Sequence, residues 1–204
     1  MAKGAEAGRA GMIAGHFGFA AAVKSREPQT PLWALMLATV WLDVVFVPLY
    51  VAGIETMQPA DKEHTGYGAN VIFADYTHSF VGMIAVSAVL GVLAGLLWGK
   101  RPGIVIGLVS ASHWLLDLFV HRADLPVLPG NFGNLPRLGF GLWRYPTVSF
   151  SIELALVLVG AWLYWRAANR VVKTEGRGAR AAAMTAALIG IFGVLILWMD
   201  FTGT

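Results

Sequence analysis

His113, Asp117 and His121 stand at i, i+4 and i+8 within the stretch Ser112 to Asp124. In an α-helix each four-residue step turns about 40° past a full circle and rises about 6 Å, so the three side chains line one face. That face reads imidazole, carboxylate, imidazole, and it sits in an apolar run from Ile104 to Val120. An ionisable group in such a run is costly unless it meets a partner, a cavity or a metal. Three more such groups interrupt apolar segments elsewhere, at His16, Asp43 and Glu153, and His78 follows Asp75 at the start of another.

Imidazole and carboxylate ligands together suit zinc, manganese or iron(II). A catalytic zinc takes about three protein ligands and keeps a position for water. His16, Asp43, His113 and Asp117 are enough for one ion. His78 and His121 complete a second, or orient the ligands of the first. Glu153 is a candidate general base or orienting group, and Asp124, three residues after His121, is the other candidate catalytic carboxylate. The chain has no cysteine, so thiolate ligands, disulfides and Cys nucleophiles are excluded.

The elements that must position these groups are membrane spans. Of 204 residues, 57% are hydrophobic and only 13% charged, and the mean hydropathy is +0.64. A soluble domain carries about 25% charged residues. The expected fold is an all-α integral membrane protein, one domain over residues 1–204, built from five transmembrane helices and a short N-terminal helix that is re-entrant or a sixth span. The net charge of +3 gives no reason to expect nucleic acid, because the basic residues fall in short clusters between apolar segments, as topology signals do.

Residues 1 to 9 are small and polar. Ala10 to Val23 is about 14 residues long, short of the roughly 20 that a span needs. The five expected spans are Pro31 to Ile54, Val71 or Phe73 to Trp98, Ile104 to Val120, Thr147 to Trp165 and Ala181 to Phe201. Pro48 should kink the first just after the Asp43 turn. Lys100 to Gly103 reads as a tight turn, and Arg166 to Arg180 as a basic loop. Arg122 to Pro146 is a connector long enough to be functional.

The basic clusters at Lys24 and Arg26, Lys100 and Arg101, and Arg166 to Arg180 belong in the cytoplasm, with Glu55, Asp61 and Glu63 on the other side. Counting from those ends at 1.5 Å per residue puts His16, Asp43, His113 and Glu153 roughly 12 to 19 Å deep. They share the middle of a hydrocarbon core about 30 Å thick. Asp117, His121, His78, Asp75 and Asp124 follow toward the outer surface, so the groups describe a polar funnel.

Plainer readings apply to several residues. A single buried histidine is as readily a packing residue as a ligand. Asp75, with Thr77 and Ser79, reads as a helix cap. His64 lies in a polar loop and Asp200 at a solvated helix end. Gly91, Gly95 and Gly99 form a packing face. Trp33, Trp98, Trp162 and Trp165 mark the inner interface and Trp143 and Trp198 the outer one, with Trp41 and Trp114 inside. Arg122, Arg137 and Arg144 anchor the interface or hold a phosphate or carboxylate.

His16-Phe17-Gly18, Leu42-Asp43, Tyr76-Thr77-His78-Ser79 and Ser112-His113-Trp114-Leu115-Leu116-Asp117 occur in that order. In this the chain resembles the YdjM-like membrane-bound metal-dependent hydrolases, over roughly residues 11 to 160. A closer subgroup is similar also in His121-Arg122-Ala123-Asp124-Leu125-Pro126 and Gly139-Phe140-Gly141-Leu142-Trp143. The resemblance implies His16, Asp43, His78, His113 and Asp117 as ligands. A fainter similarity is to zinc-dependent phospholipase C, which adds a His-xxx-Glu helix. Here Ser149 stands four residues before Glu153, which speaks against a trinuclear site.

The function expected is metal-assisted hydrolysis, with zinc first and manganese or iron as alternatives. The substrate is lipid-linked or amphiphilic, a phosphoester among the candidates. The expected location is the bacterial inner membrane, with the site open to its outer side. The alternatives are an accessory subunit of a larger membrane complex, binding a structural metal, haem or pigment among other subunits, and an ion-coupled transporter.

Overall fold

The apolar runs fold as helices whose large apolar side chains mostly face outward. The computed structural model describes residues 12–60, 66–175 and 179–203. In chain order the elements are α1 (Ile13–Lys24), α2 (Leu32–Thr39), α3 (Trp41–Val51), β1 (Thr56–Pro59), β2 (Asn70–Phe73), α4 (Phe80–Trp98), α5 (Lys100–Val120), α6 (Pro146–Glu175) and α7 (Ala179–Thr202). Four of them, α4 to α7, are long and apolar enough to cross a membrane, and α2 with α3 would do so as one span bent by 51°. Leu96 and Leu97 on α4 are 80% and 72% exposed, whereas His16, His113 and Glu153 are buried. This reverses the arrangement of a soluble protein and suits a surface solvated by lipid.

Several expected boundaries move. The first span breaks at Val40 (φ −119°, ψ 17°), before Asp43, and not at Pro48, which lies inside α3. The break falls where Thr39 is engaged elsewhere: its hydroxyl donates to the His16 carbonyl at 3.2 Å and its own carbonyl accepts from His113 at 2.8 Å. The second span starts at Phe80, because residues 70–73 form β2, paired antiparallel with β1 from Thr56↔Phe73 to Pro59↔Asn70. The fold is therefore mostly helical with one hairpin, not purely α. The turn after α4 is Gly99 alone (φ 93°), and Lys100 to Gly103 already belong to α5. Pro102 is tolerated there because first-turn N–H groups have no helical partner. Residues 166–175, expected as loop, continue α6. The expectations for residues 1–9, Asp61, Glu63, His64 and Arg177 lie outside the described residues.

Two glycine contacts set how closely the helices approach. A Cβ on Gly103 of α5 would stand 2.6 Å from the Gly95 Cα of α4, and one on Gly91 would stand 3.0 Å from the Gly103 carbonyl. Between α1 and α6, a Cβ on Gly160 would overlap the Gly18 carbonyl, and one on Gly18 would overlap the backbone at Leu156. The second contact seats α1, and with it His16, inside the bundle against α6, α7 and α2.

The three basic clusters share one end. Arg101 donates to Glu27 through Nη2 at 2.9 Å and Nε at 3.1 Å. That guanidinium holds the Glu27 carboxyl below its ordinary range. Lys24, Pro28, Tyr164, Arg170 and Ala181 line a common cavity there. Glu55 lies at the opposite end, accepting from Thr77 just before α4. The connector also closes that end: Leu125 bridges Leu138, and Phe140 and Gly141 donate to the Leu118 and His121 carbonyls at 2.9 and 2.6 Å.

Replacing Gly160 by Val forces α1 away from α6. Overpacking of this kind costs about 1–3 kcal/mol. Thermal unfolding in detergent should show a lowered Tm, whereas Gly190→Val, where a Cβ meets nothing within 4 Å, should leave it near wild type.

Candidate metal centre

Four segments deliver six side chains to one point: His16 from α1, Asp43 from the first turn of α3, His78 from the turn before α4, and His113, Asp117 and the end residue His121 from α5. All but Asp43 are buried. The Asp43 side chain is 43% exposed, so the cluster is open on that side.

The expected stripe is one residue shorter than a continuous helix would make it. His121 is extended (φ −60°, ψ 145°), although its N–H still closes the last turn onto the Asp117 carbonyl at 2.8 Å. Its ring turns back to the stripe because Asp124 accepts from Nδ1 at 2.9 Å, which leaves Nε2 3.7 Å from Asp117 Oδ2. Asp124, a candidate catalytic group by sequence, thus holds His121 in place.

The distances around the centre are short and mutual. His113 Nε2 lies 3.0 Å from Asp117 Oδ2 and 3.6 Å from Asp43 Oδ1. His78 Nε2 lies 3.4 Å from Asp43 Oδ1 and 3.9 Å from Asp117 Oδ2. The two Nε2 atoms are 3.2 Å apart. Ligand atoms at tetrahedral positions on bonds of 2.0–2.1 Å are separated by about 3.3 Å, so this set has the spacing of a coordination shell. Two sets meet the requirements for holding an ion, His16 with His113 and Asp117, and Asp43 with His78 and His113. The grouping differs from the one expected, since Asp43 joins His78 and His113 serves both sets.

The hydrogen bonds behind the rings fix their tautomers. His113 Nδ1 faces the Thr39 carbonyl at 2.8 Å, and a carbonyl can only accept, so Nδ1 carries the proton. His78 Nδ1 faces Thr77 Oγ1 at 2.8 Å, and that hydroxyl donates to the Glu55 carboxylate, 2.9 and 3.1 Å away. His78 Nδ1 must therefore donate as well. In the neutral rings both Nε2 atoms then bear lone pairs, and they face each other. Two acceptors at 3.2 Å repel, and either a metal ion among them or a second proton on His113, donated to Asp117 Oδ2 at 3.0 Å, relieves the repulsion. A donor on the far ring nitrogen is also how metal-bound histidines are oriented.

His16 is held differently. Its ring stacks on His113 with centroids 4.1 Å apart, and its Nε2 lies 3.2 Å from Asp117 Oδ1. Its Nδ1 is buried with no hydrogen-bond partner. If Nε2 carries the proton, Nδ1 is an orphaned acceptor; if Nδ1 carries it, Nε2 turns a lone pair toward a carboxylate. Neither neutral tautomer satisfies both atoms with the partners present.

Other residues fall differently from expectation. Glu153 is buried one residue from His16 along α1, where it accepts from the Gly15 N–H at 3.2 Å, with Tyr67 and Asp200 as electrostatic neighbours. It is in neither set of grouped ligands. Asp200 is buried and not a solvated helix end. Asp75 does not cap α4; Ser79 does, accepting from Gly82 at 2.9 Å. Asp75 instead pairs with both Arg137 nitrogens at 2.7 and 2.9 Å. Trp143, expected at the outer interface, is buried with its ring 4.3 Å from that of His121. Trp114 is inside as expected and donates to the His78 carbonyl at 2.8 Å.

The sequence reading missed the outer supports Thr39, Thr77 and Glu55. Glu55 looked like an exposed loop acid, yet it is fully buried and accepts from the Tyr76 and Thr77 N–H groups at 2.8 Å each. The only hint was the motif Tyr76-Thr77-His78-Ser79, which holds one of its partners but gives no sign of the carboxylate.

No family model matches the chain, and neither a curated protein nor a solved structure matches it. The resemblance described above therefore rests on its motifs.

Replacing Thr77 by Val keeps the shape but removes the link between His78 and Glu55. Loss of such a support costs about 10–100-fold in metal affinity. Chelator competition on purified protein should show a drop in that range, with the helical circular-dichroism signal unchanged.

Proposed function

We propose that this chain is a membrane-embedded, metal-dependent hydrolase acting on a lipid-linked or amphiphilic substrate. The observation that carries the reading is the pair of Nε2 lone pairs held 3.2 Å apart between two carboxylates. Asp43 and Asp117 together supply two negative charges, which a single divalent cation neutralises. Four imidazoles and two carboxylates favour zinc, with manganese and iron(II) also accommodated by such ligands. When bound, such an ion supplies Lewis acidity and makes water nucleophilic near neutral pH.

The rest of the chemistry belongs to the chain. Thr39, Thr77 and Asp124 orient three of the rings from behind. His16 and Asp117 close the centre on the bundle side, which keeps bulk water out. Asp43 leaves one side open, where a substrate can approach from the surface of the bundle. Glu153 holds α1 at Gly15 and so keeps His16 in register. The order of motifs shared with the YdjM-like hydrolases supports the same reading. A haem or pigment site would need a roomy apolar slot beside one or two histidines, and the carboxylates crowd that space.

Asp117→Asn keeps the size of the side chain and removes its charge. We expect metal content, read by elemental mass spectrometry on detergent-purified protein, to fall at least about tenfold. Glu153→Gln keeps an acceptor for Gly15 and should keep the metal. An Asp117→Asn protein that folds and binds metal as the wild type does would sink the hydrolase reading, as would a wild type that takes up no metal under any loading condition.

The same reading places the protein in a bacterial inner membrane, with the basic end in the cytoplasm and the metal centre nearer the outer face. A cysteine introduced at Gln58 should react with an impermeant maleimide on intact cells, and one at Lys100 should not. The opposite pattern would invert the topology.

A further inference from the structure

A second polar cavity lies beside the metal centre, at the end of the bundle opposite the basic clusters. It has a volume of about 490 Å³ and is lined chiefly by Tyr67, Gly68, Arg122, Trp143 and Arg144. That volume falls within the range of small-molecule sites. The three arginines of the connector region divide into two kinds. Arg137 is spent on Asp75, with both terminal nitrogens engaged. Arg122 donates to the Gly68 carbonyl, and Arg144 makes only a long bond of 3.4 Å to the Gly141 carbonyl. Among the described residues neither Arg122 nor Arg144 is in an ion pair.

The wall between these two guanidinium groups is also unsatisfied. Trp143 is 3% exposed, and its indole Nε1–H has no hydrogen-bond partner. A buried donor without a partner is costly, although this nitrogen is closed off from the cavity that the rest of the Trp143 side chain helps to line. Two guanidinium groups on one cavity, neither of them in an ion pair among the described residues, fit an anion with several acceptor oxygens. Trp143 also lies against His121, with ring centroids 4.3 Å apart, and His121 turns Nε2 toward Asp117. One aromatic ring thus separates the anion cavity from the metal centre.

We propose that the cavity of Arg122, Trp143 and Arg144 binds a phosphate group, and that this group is the headgroup of the amphiphile whose hydrolysis is proposed above. The phosphate site stands on the cavity and its guanidinium groups; its assignment to a substrate rests on the hydrolase reading. Arginine recognises phosphate through paired N–H donors, and the cavity's place at one end of an apolar bundle lets a phosphate bind there while attached chains remain in lipid.

The test is calorimetric titration of the full chain in a neutral detergent with dihexanoyl phosphatidic acid, dihexanoyl phosphatidylcholine and inorganic phosphate, before and after chelation of metal. Phosphatidic acid should bind at least about tenfold more tightly than phosphatidylcholine. Arg144→Gln should remove at least about tenfold of that affinity, the loss expected for one charged hydrogen-bond donor. Arg144 is exposed, so this variant should fold, and Arg166→Gln at the other end should change nothing. Arg122→Gln, which also loses the link to Gly68, should lose affinity with a lowered Tm. Inorganic phosphate binding as tightly as phosphatidic acid assigns the site to the phosphate alone; phosphatidic acid binding far more tightly assigns it to an amphiphile. Binding that survives chelation supports the cavity even if the chain proves not to be a metalloenzyme. Binding unchanged in Arg144→Gln overturns the proposal, and binding abolished by chelation yet indifferent to Arg144 assigns the anion to the metal and overturns it too.

Discussion

Two imidazole nitrogens, both left as acceptors by the hydrogen bonds behind them, are held 3.2 Å apart in the interior of an apolar bundle. Between neutral rings that arrangement is repulsive, and it is the carboxylates of Asp43 and Asp117, 3.6 and 3.0 Å from His113 Nε2, that let a metal ion or an added proton relieve it. The bundle sustains it by holding three of the four rings from behind. Thr39 fixes His113, Thr77 and Glu55 fix His78, and Asp124 fixes His121. Imidazole and carboxylate atoms held at this spacing could hold a metal ion.

The helices can bring these groups together because glycine lets two pairs of backbones nearly touch. The contact of Gly18 with Gly160 seats a helix too short to cross a membrane against α6, and so delivers His16 to the interior. The contact of Gly91 and Gly95 with Gly103 fastens α4 to α5 and fixes His78 relative to His113. Lipid is as apolar as the side chains it would replace, so close packing and internal hydrogen bonds, not burial of apolar area, hold such a bundle together.

The connector after α5 does more than join two spans. It bonds back to Leu118 and His121 and sets Trp143 against the His121 ring. A segment rich in proline and glycine can follow this path because Gly139 and Gly141 adopt positive φ (145° and 73°), and a Cβ on Gly139 would overlap the Arg122 carbonyl. The candidate metal centre and the arginine-lined cavity therefore both meet Trp143, a residue of the connector and not of a spanning helix.

Much of this was legible in the sequence. Long apolar runs must become helices in lipid, where every backbone polar group has to be satisfied internally, and four such helices are present. Ionisable groups in those runs had to face one another, and His16, Asp43, His113 and Asp117 do. The four-residue spacing of His113 and Asp117 put them on one face whatever their neighbours. Tertiary structure alone decided the rest. Which ligand joins which set depends on the break at Val40, made where Thr39 serves two partners distant in sequence. Glu55 became part of the site, and Asp200 was buried, through contacts that no local pattern encodes. The chain breaks at Val40 and runs on helical through Pro48. The split of the three arginines, one spent on Asp75 and two turned to a cavity, follows from the fold of a connector whose sequence specifies flexibility and turns but not a path.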